Sequence, residues 1–187
     1  MENLKNQWKE KWSNQPTLML ITVIIWSLFI GLCIQAGSLL FTFTYSLFKP
    51  LIAQDLYEGL NLYPLLKQNI WYYLWVISLL LVIAVQKAYL FYLMIRVFLK
   101  INLVHPFSKE ISKLITQTSY VTFQIGVTTI FTAGLVKWLV KRDFELPVLV
   151  DYANGAFEYL LMSAIIFAIA QVFKRGVEIQ AENELTV

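Results

Sequence analysis

"IWYYLWVISLLLVIAVQKAYLFYLMIRVFL", residues 70–99, carries only two charges, Lys87 and Arg96, and neither Pro nor Gly interrupts it. About 20 apolar residues cross the hydrocarbon core of a bilayer as a helix. This run is therefore long enough to span a membrane and to project beyond it. Three further runs share its character, at about 17–48, 119–140 and 156–173. Composition agrees: 58% of the 187 residues are hydrophobic and 14% are charged, against about 45–50% and about 25% in soluble domains. The chain reads as an all-α membrane protein, one domain over residues 1–187. Its expected architecture is a four-transmembrane-helix bundle with helices 2, 3 and 4 extended into the cytoplasm. The net charge of +3 is not gathered on one face, so direct nucleic-acid binding is not expected.

Orientation follows from the Lys and Arg bias of the flanks. One side carries Lys5, Lys9, Lys11, Arg96, Lys100, Lys109, Lys113, Lys174 and Arg175; the other carries Lys49, Lys67, Lys137, Lys141 and Arg142. Nine against five places both termini in the cytoplasm and the chain in a bacterial inner membrane. Trp8 and Trp12 on one side, and Trp71, Tyr72 and Tyr73 on the other, suit interfacial belts. Cys33 is the one cysteine, so no intrachain disulfide forms, and the residue is expected to pack as a small apolar group. Leu32 before it does not fit a lipoprotein signal, and the apolar run is too long for a signal-peptide core. The run is expected to stay as an anchor.

The inner connection, "KINLVHPFSKEISKL" (100–114), breaks at His105-Pro106, because a residue before proline is pushed out of helical geometry. Ser108 then offers an N-cap, with Glu110 in the first turn where the helix dipole favours a carboxylate. Helices 2 and 3 should thus meet in a cytoplasmic hairpin over about 96–117. Of the outer loops, "KPLIAQDLYEGLNLYPLLKQN" (49–69) suggests a short helix in the headgroup region. "KRDFELPVLVDYANGAF" (141–157) holds the strand-like "FELPVLV", which Pro147 would confine to an edge, and the turn-like Asn154-Gly155. Covering the outer end of the bundle is the leading role for both loops, ahead of ligand binding.

In lipid, small and weakly polar residues mark packed helix faces. Such stripes occur at Ser27, Gly31, Gln35, Ser38 and Thr42; at Gln117, Gln124 and Thr128; and at Ala164, Ala168 and Gln171. They are expected to meet inside the bundle, with a polar transport path as the alternative. Lys87 is the clear ionisable residue within a span; snorkelling or pairing with a neighbour such as Gln86 is the leading explanation for it. The candidate intramembrane polar site is therefore Lys87, Gln35, Gln124 and Gln171. Catalytic chemistry is nearly absent. There is a single histidine, His105, no glycine-rich phosphate loop and no H-E-x-x-H motif. No enzyme activity, metal or cofactor is expected.

The chain ends "FKRGVEIQAENELTV" (173–187), longer than an anchor requires. Extending the face of Ala164, Ala168 and Gln171 by helical spacing reaches Arg175, Glu178 and Glu182. These residues are expected to lie beside the hairpin, where Glu178 and Glu182 would meet Arg96, Lys100 or Lys113. The candidate cytoplasmic face thus comprises Arg96, Asn102, Pro106, Phe107, Ser108, Phe173, Arg175, Gly176, Glu178, Glu182, Asn183 and Glu184.

Two stretches together, "RVFLKINLVHPFSKE" and "IAQVFKRGVEIQAENELTV", resemble the bacterial membrane family catalogued as domain of unknown function 2975. The matching positions are Phe98, Asn102, Pro106, Phe107 and Ser108 in the hairpin, and Phe173, Arg175, Gly176, Glu178 and Glu182 through Val187 in the tail. The resemblance implies four spans and carries no catalytic residues. It also implies, by gene neighbourhood, a small helix-turn-helix regulator as partner. The expected function is a non-enzymatic regulatory or signalling adaptor whose hairpin and tail bind a cytoplasmic protein, the chain itself being a candidate homo-oligomer. The alternative is a small transporter or channel component.

Overall fold

The computed structural model describes residues 16–101, 106–142, 144, 149 and 154–184. Four long helices dominate: α1 (Pro16–Ser46), α3 (Ile70–Lys100), α4 (Lys109–Val140) and α5 (Ala156–Glu184). A short helix, α2 (Tyr63–Gln68), and a 3-10 turn at Pro50–Gln54 lie between α1 and α3. Each long helix is long and apolar enough to cross a membrane. The strand considered for 144–150 falls largely outside the described residues, and no strand occurs among those described.

The helix limits have local causes. Asn69 caps α3 by accepting from the Trp71 N–H at 2.9 Å, and Ser108 caps α4 by accepting from the Ile111 N–H at 3.2 Å. Each cap satisfies one of the N–H groups that a helix start leaves without a partner. Long apolar interiors without proline do the rest, because at membrane depth every backbone group must bond within its own helix.

The helices pack mainly as neighbours in chain order: α1 on α3, α3 on α4, and α4 on α5. The buried row of α4 runs Ile111, Leu114, Thr118, Val121, Ile125, Thr129, Thr132, Val136 and Leu139. Its spacing alternates mostly between three and four residues, the pattern of a continuous seam. The threonines in that seam carry their own partners: Thr118, Thr129 and Thr132 each donate to the carbonyl four residues back, at 2.8–2.9 Å. Polar groups thus enter the interface without an unsatisfied hydroxyl.

One end of the bundle is closed by the segment between α1 and α3, here called the cap. Leu56, Leu60, Leu62 and Leu65 are fully buried there, against Leu39 of α1, Tyr73, Val76 and Ile77 of α3, and Val136 and Leu139 of α4. The cap does not lie flat on a surface; it inserts its leucines between helix ends. Thr42 Oγ1 donates to the Leu56 carbonyl at 2.9 Å, and Asp55 accepts from the Gly59 N–H at 3.0 Å. That turn needs the left-handed backbone of Gly59, φ +82°. Beneath it, the Ser46 and Tyr73 hydroxyls meet at 2.5 Å in a buried pair. The opposite end, holding the α3–α4 turn and the last turns of α5, is here called the turn end.

The small and polar stripes do not gather in one interior. Ser27, Gly31, Gln124, Ala164, Ala168 and Gln171 are exposed, and a methyl group built at Gly31 meets nothing within 4 Å. Ser27 and Thr128 instead donate to their own helices, at 3.0 and 2.8 Å. On α5 the packed row is Ser163, Ile166, Ala170 and Phe173, turned away from the expected one.

Candidate functional site

Three contacts set the α4–α5 register. Gly126 lets α5 approach closely: a Cβ there would stand 2.9 Å from Leu160 Cδ2 and 3.3 Å from the Ala156 carbonyl oxygen. Ser119 Oγ donates to the Ser163 carbonyl at 3.3 Å. At the turn end, the rings of Phe107 and Phe173 meet edge to face, with centroids 5.4 Å apart. The helices are thus antiparallel, and the first turn of α5 lies beside the middle of α4. Its last two turns run past the start of α4.

That overshoot builds the candidate site. Pro106 releases the chain from α3, and Ser108 starts α4, so Phe107 is held at the corner between them. Its ring lies over Gly176 of α5. A Cβ at Gly176 would fall 2.7 Å from Phe107 Cε1 and 2.8 Å from Cγ, with Cδ1 closer still. Only glycine admits the ring at this depth. Phe107, Phe173 and Gly176, drawn from two separate sequence motifs, therefore form one contact.

The charged residues behave differently from the sequence expectation. Arg175, Glu178 and Glu182 are exposed. Arg175 Nη1 donates to Glu178 Oε2 within α5 at 2.9 Å. Lys100 pairs with Glu110 across the turn, which holds the Glu110 carboxyl below its ordinary pKa, chiefly through that hydrogen bond. Arg96 lies over the Tyr92 ring at 5.9 Å. The turn and the tail meet through an aromatic contact, the Phe107 ring on Gly176. The physical reason is that exposed ion pairs contribute little, whereas seating a phenyl ring removes apolar area from water. Asn102 lies outside the described residues, and so do His105, Trp8 and Trp12. For Asn183 and Glu184 the helical backbone alone is described.

At mid-height, Lys87 is half-buried, with its ammonium 5.7 Å from the centre of the Tyr159 ring. The Oε1 of neighbouring Gln86 is buried with no hydrogen-bond partner. Gln35 is partly buried on α1, and Gln124 and Gln171 are exposed. Tyr159 was not singled out by sequence; its position one turn into α5 is the one available signal. Among the described residues, no group of three or more His, Cys, Asp or Glu side chains is placed to hold a metal ion.

Four long apolar helices define a helical protein of the multi-pass membrane class. The chain belongs to the family described as protein of unknown function (DUF2975), whose model matches residues 52–187. That range holds most of the cap, and the turn and the tail in full. No curated protein and no solved structure matches the chain.

Proposed function

We propose that this protein is a non-enzymatic membrane adaptor whose turn and tail form one docking surface on the cytoplasmic side. The observation that supports this most strongly is the seating of Phe107 on Gly176. A tail held against the α3–α4 turn presents its other face, Arg175, Glu178, Ile179 and Glu182, in a fixed orientation outward. An exposed isoleucine, 46% accessible, among charges of both signs suits a protein partner better than a lipid or a nucleic acid. The partner is a cytoplasmic protein, and a small helix-turn-helix regulator is the class that the family resemblance implies. Deleting residues 176–187 should abolish recovery of that partner from native membranes and leave membrane insertion intact. Unchanged recovery would refute the adaptor role.

A second reading, a small transporter or channel component, is favoured by Lys87, Tyr159 and the unsatisfied Gln86 within the helical layer. It predicts altered flux in reconstituted vesicles for Lys87→Ala. Absence of flux under every gradient tested counts against it.

A further inference from the structure

The fourth long helix is out of step with its neighbour. Between Lys113 and Lys137, α4 has no charged residue, and those 23 positions measure about 34 Å, enough for the hydrocarbon core. Between Glu158 and Lys174, α5 is free of charge over only 15 positions, about 22 Å. The charge-free part of α5 is too short to cross alone. Its start is also fixed in depth, because Ala156 and Leu160 bracket Gly126, near the centre of the charge-free part of α4. Glu158 therefore lies close to mid-membrane, and its side chain is exposed.

A bare carboxylate facing lipid at that depth is costly, so ionisable side chains within a membrane face a neighbour or a water-filled cavity. A cavity is present. A cleft of about 480 Å³ runs along the cap-end half of α4, above the first turn of α5. Ile130, Ala133 and Gly134 form its wall, Asn154 and Glu158 lie at its floor, and Lys137 stands about 16 Å along α4 from Gly126. A methyl group built at Gly134 meets nothing within 4 Å among the described residues. The Glu158 carboxylate bends back to within 3.9 Å of a Cβ built on Gly155, towards the helix start, where the backbone dipoles favour an anion.

We infer that this cleft is water-filled and opens at the cap end, carrying solvent and small hydrophilic solutes to mid-membrane at Glu158. The cleft stands independently of the adaptor function, since it involves neither the turn nor the tail.

Cysteine accessibility tests this in the full-length protein. In a Cys33→Ala background, Glu158→Cys and Gly134→Cys are treated with a membrane-impermeant, charged thiol reagent in vesicles of both orientations. Gln54→Cys, exposed on the cap, reports one face, and Lys109→Cys the other. Phe131→Cys, on a ring 68% exposed to the surroundings, reports lipid. Thiols react as thiolates, which form in water and not in hydrocarbon. Both cleft positions should therefore react within about tenfold of Gln54→Cys and from the same face, and Phe131→Cys about a hundredfold more slowly. Cleft cysteines as slow as Phe131→Cys, or labelled from the Lys109→Cys face, would overturn the inference. Gly134→Cys, where the new side chain enters open space, decides the matter if Glu158→Cys fails to insert.

Discussion

Replacing Gly176 by alanine sets two effects against each other. In a helix interior, alanine is better than glycine by about 0.8–1.0 kcal/mol, so the substitution should stabilise α5. The added Cβ, however, falls inside contact distance of three atoms of the Phe107 ring. The ring sits on a corner rather than in a closed core, so it will swing out and not distort the helix. Phe107 is 38% exposed, so its seat conceals roughly 60% of a side chain whose full burial is worth about 1.5–3 kcal/mol. That loss is about 1–2 kcal/mol, and the edge-to-face pair with Phe173 adds roughly 0.5–1.5 kcal/mol. In the wild-type background, Gly176→Ala should thus destabilise the turn end by about 1 kcal/mol after the helix gain is subtracted. In a Phe107→Ala background the ring is gone and the same substitution should stabilise by about 1 kcal/mol. The sign reverses, with a coupling of about 2 kcal/mol. Equilibrium unfolding of the four proteins in mixed micelles measures it. A cycle that closes to zero, with alanine equally favourable in both backgrounds, would show that Phe107 is not seated on Gly176.

Other substitutions probe the frame that positions this contact. Ser108→Ala removes the N-cap of α4 and should cost about 1 kcal/mol, while Ser108→Asp retains the cap and should cost little; thermal unfolding in detergent distinguishes them. Gly126→Leu forces bulk against Leu160 and the Ala156 carbonyl and should cost about 1–3 kcal/mol as an overpacked interface, with faster proteolysis of α5 as the readout. Tyr73→Phe deletes one partner of the buried Ser46 pair, leaves the other hydroxyl with its bond to the Phe43 carbonyl, and should cost about 1 kcal/mol, seen as a lower unfolding midpoint.

The long helices were legible because a membrane imposes a crude and strong rule: about 20 residues without charge. Residues 17–48 and 70–99 read almost directly onto α1 and α3, and the Pro106 break and Ser108 cap onto the α3–α4 turn. Helix faces were not legible. The small-residue stripe on α5 pointed to Ala164, Ala168 and Gln171, yet Ser163, Ala170 and Phe173 are the packed residues. One residue is a rotation of 100° on a helix, and which face turns inward depends on what the neighbour offers, here Gly126 and Ser119. Hydropathy carries no such long-range information. The tail followed the same logic. Helical spacing correctly continued α5 past residue 173, but it carried the face of Ala164, Ala168 and Gln171 on to Arg175, Glu178 and Glu182, whereas Phe107 and Gly176 decide the packed face by shape. The cap leucines were hidden for a different reason: Leu56, Leu60, Leu62 and Leu65 follow no helical period, because a turn at Glu58-Gly59 redirects the chain between them.

The proposed adaptor role requires the turn and the tail to act as one surface for a cytoplasmic partner. The most direct test is a photo-crosslinking residue at Glu178 in the full-length protein, irradiated in native membranes, with and without Gly176→Leu. A covalent adduct to a soluble protein is expected, and it should disappear with Gly176→Leu while membrane insertion persists. An adduct that is indifferent to Gly176→Leu, or none at all from Glu178, would contradict that role.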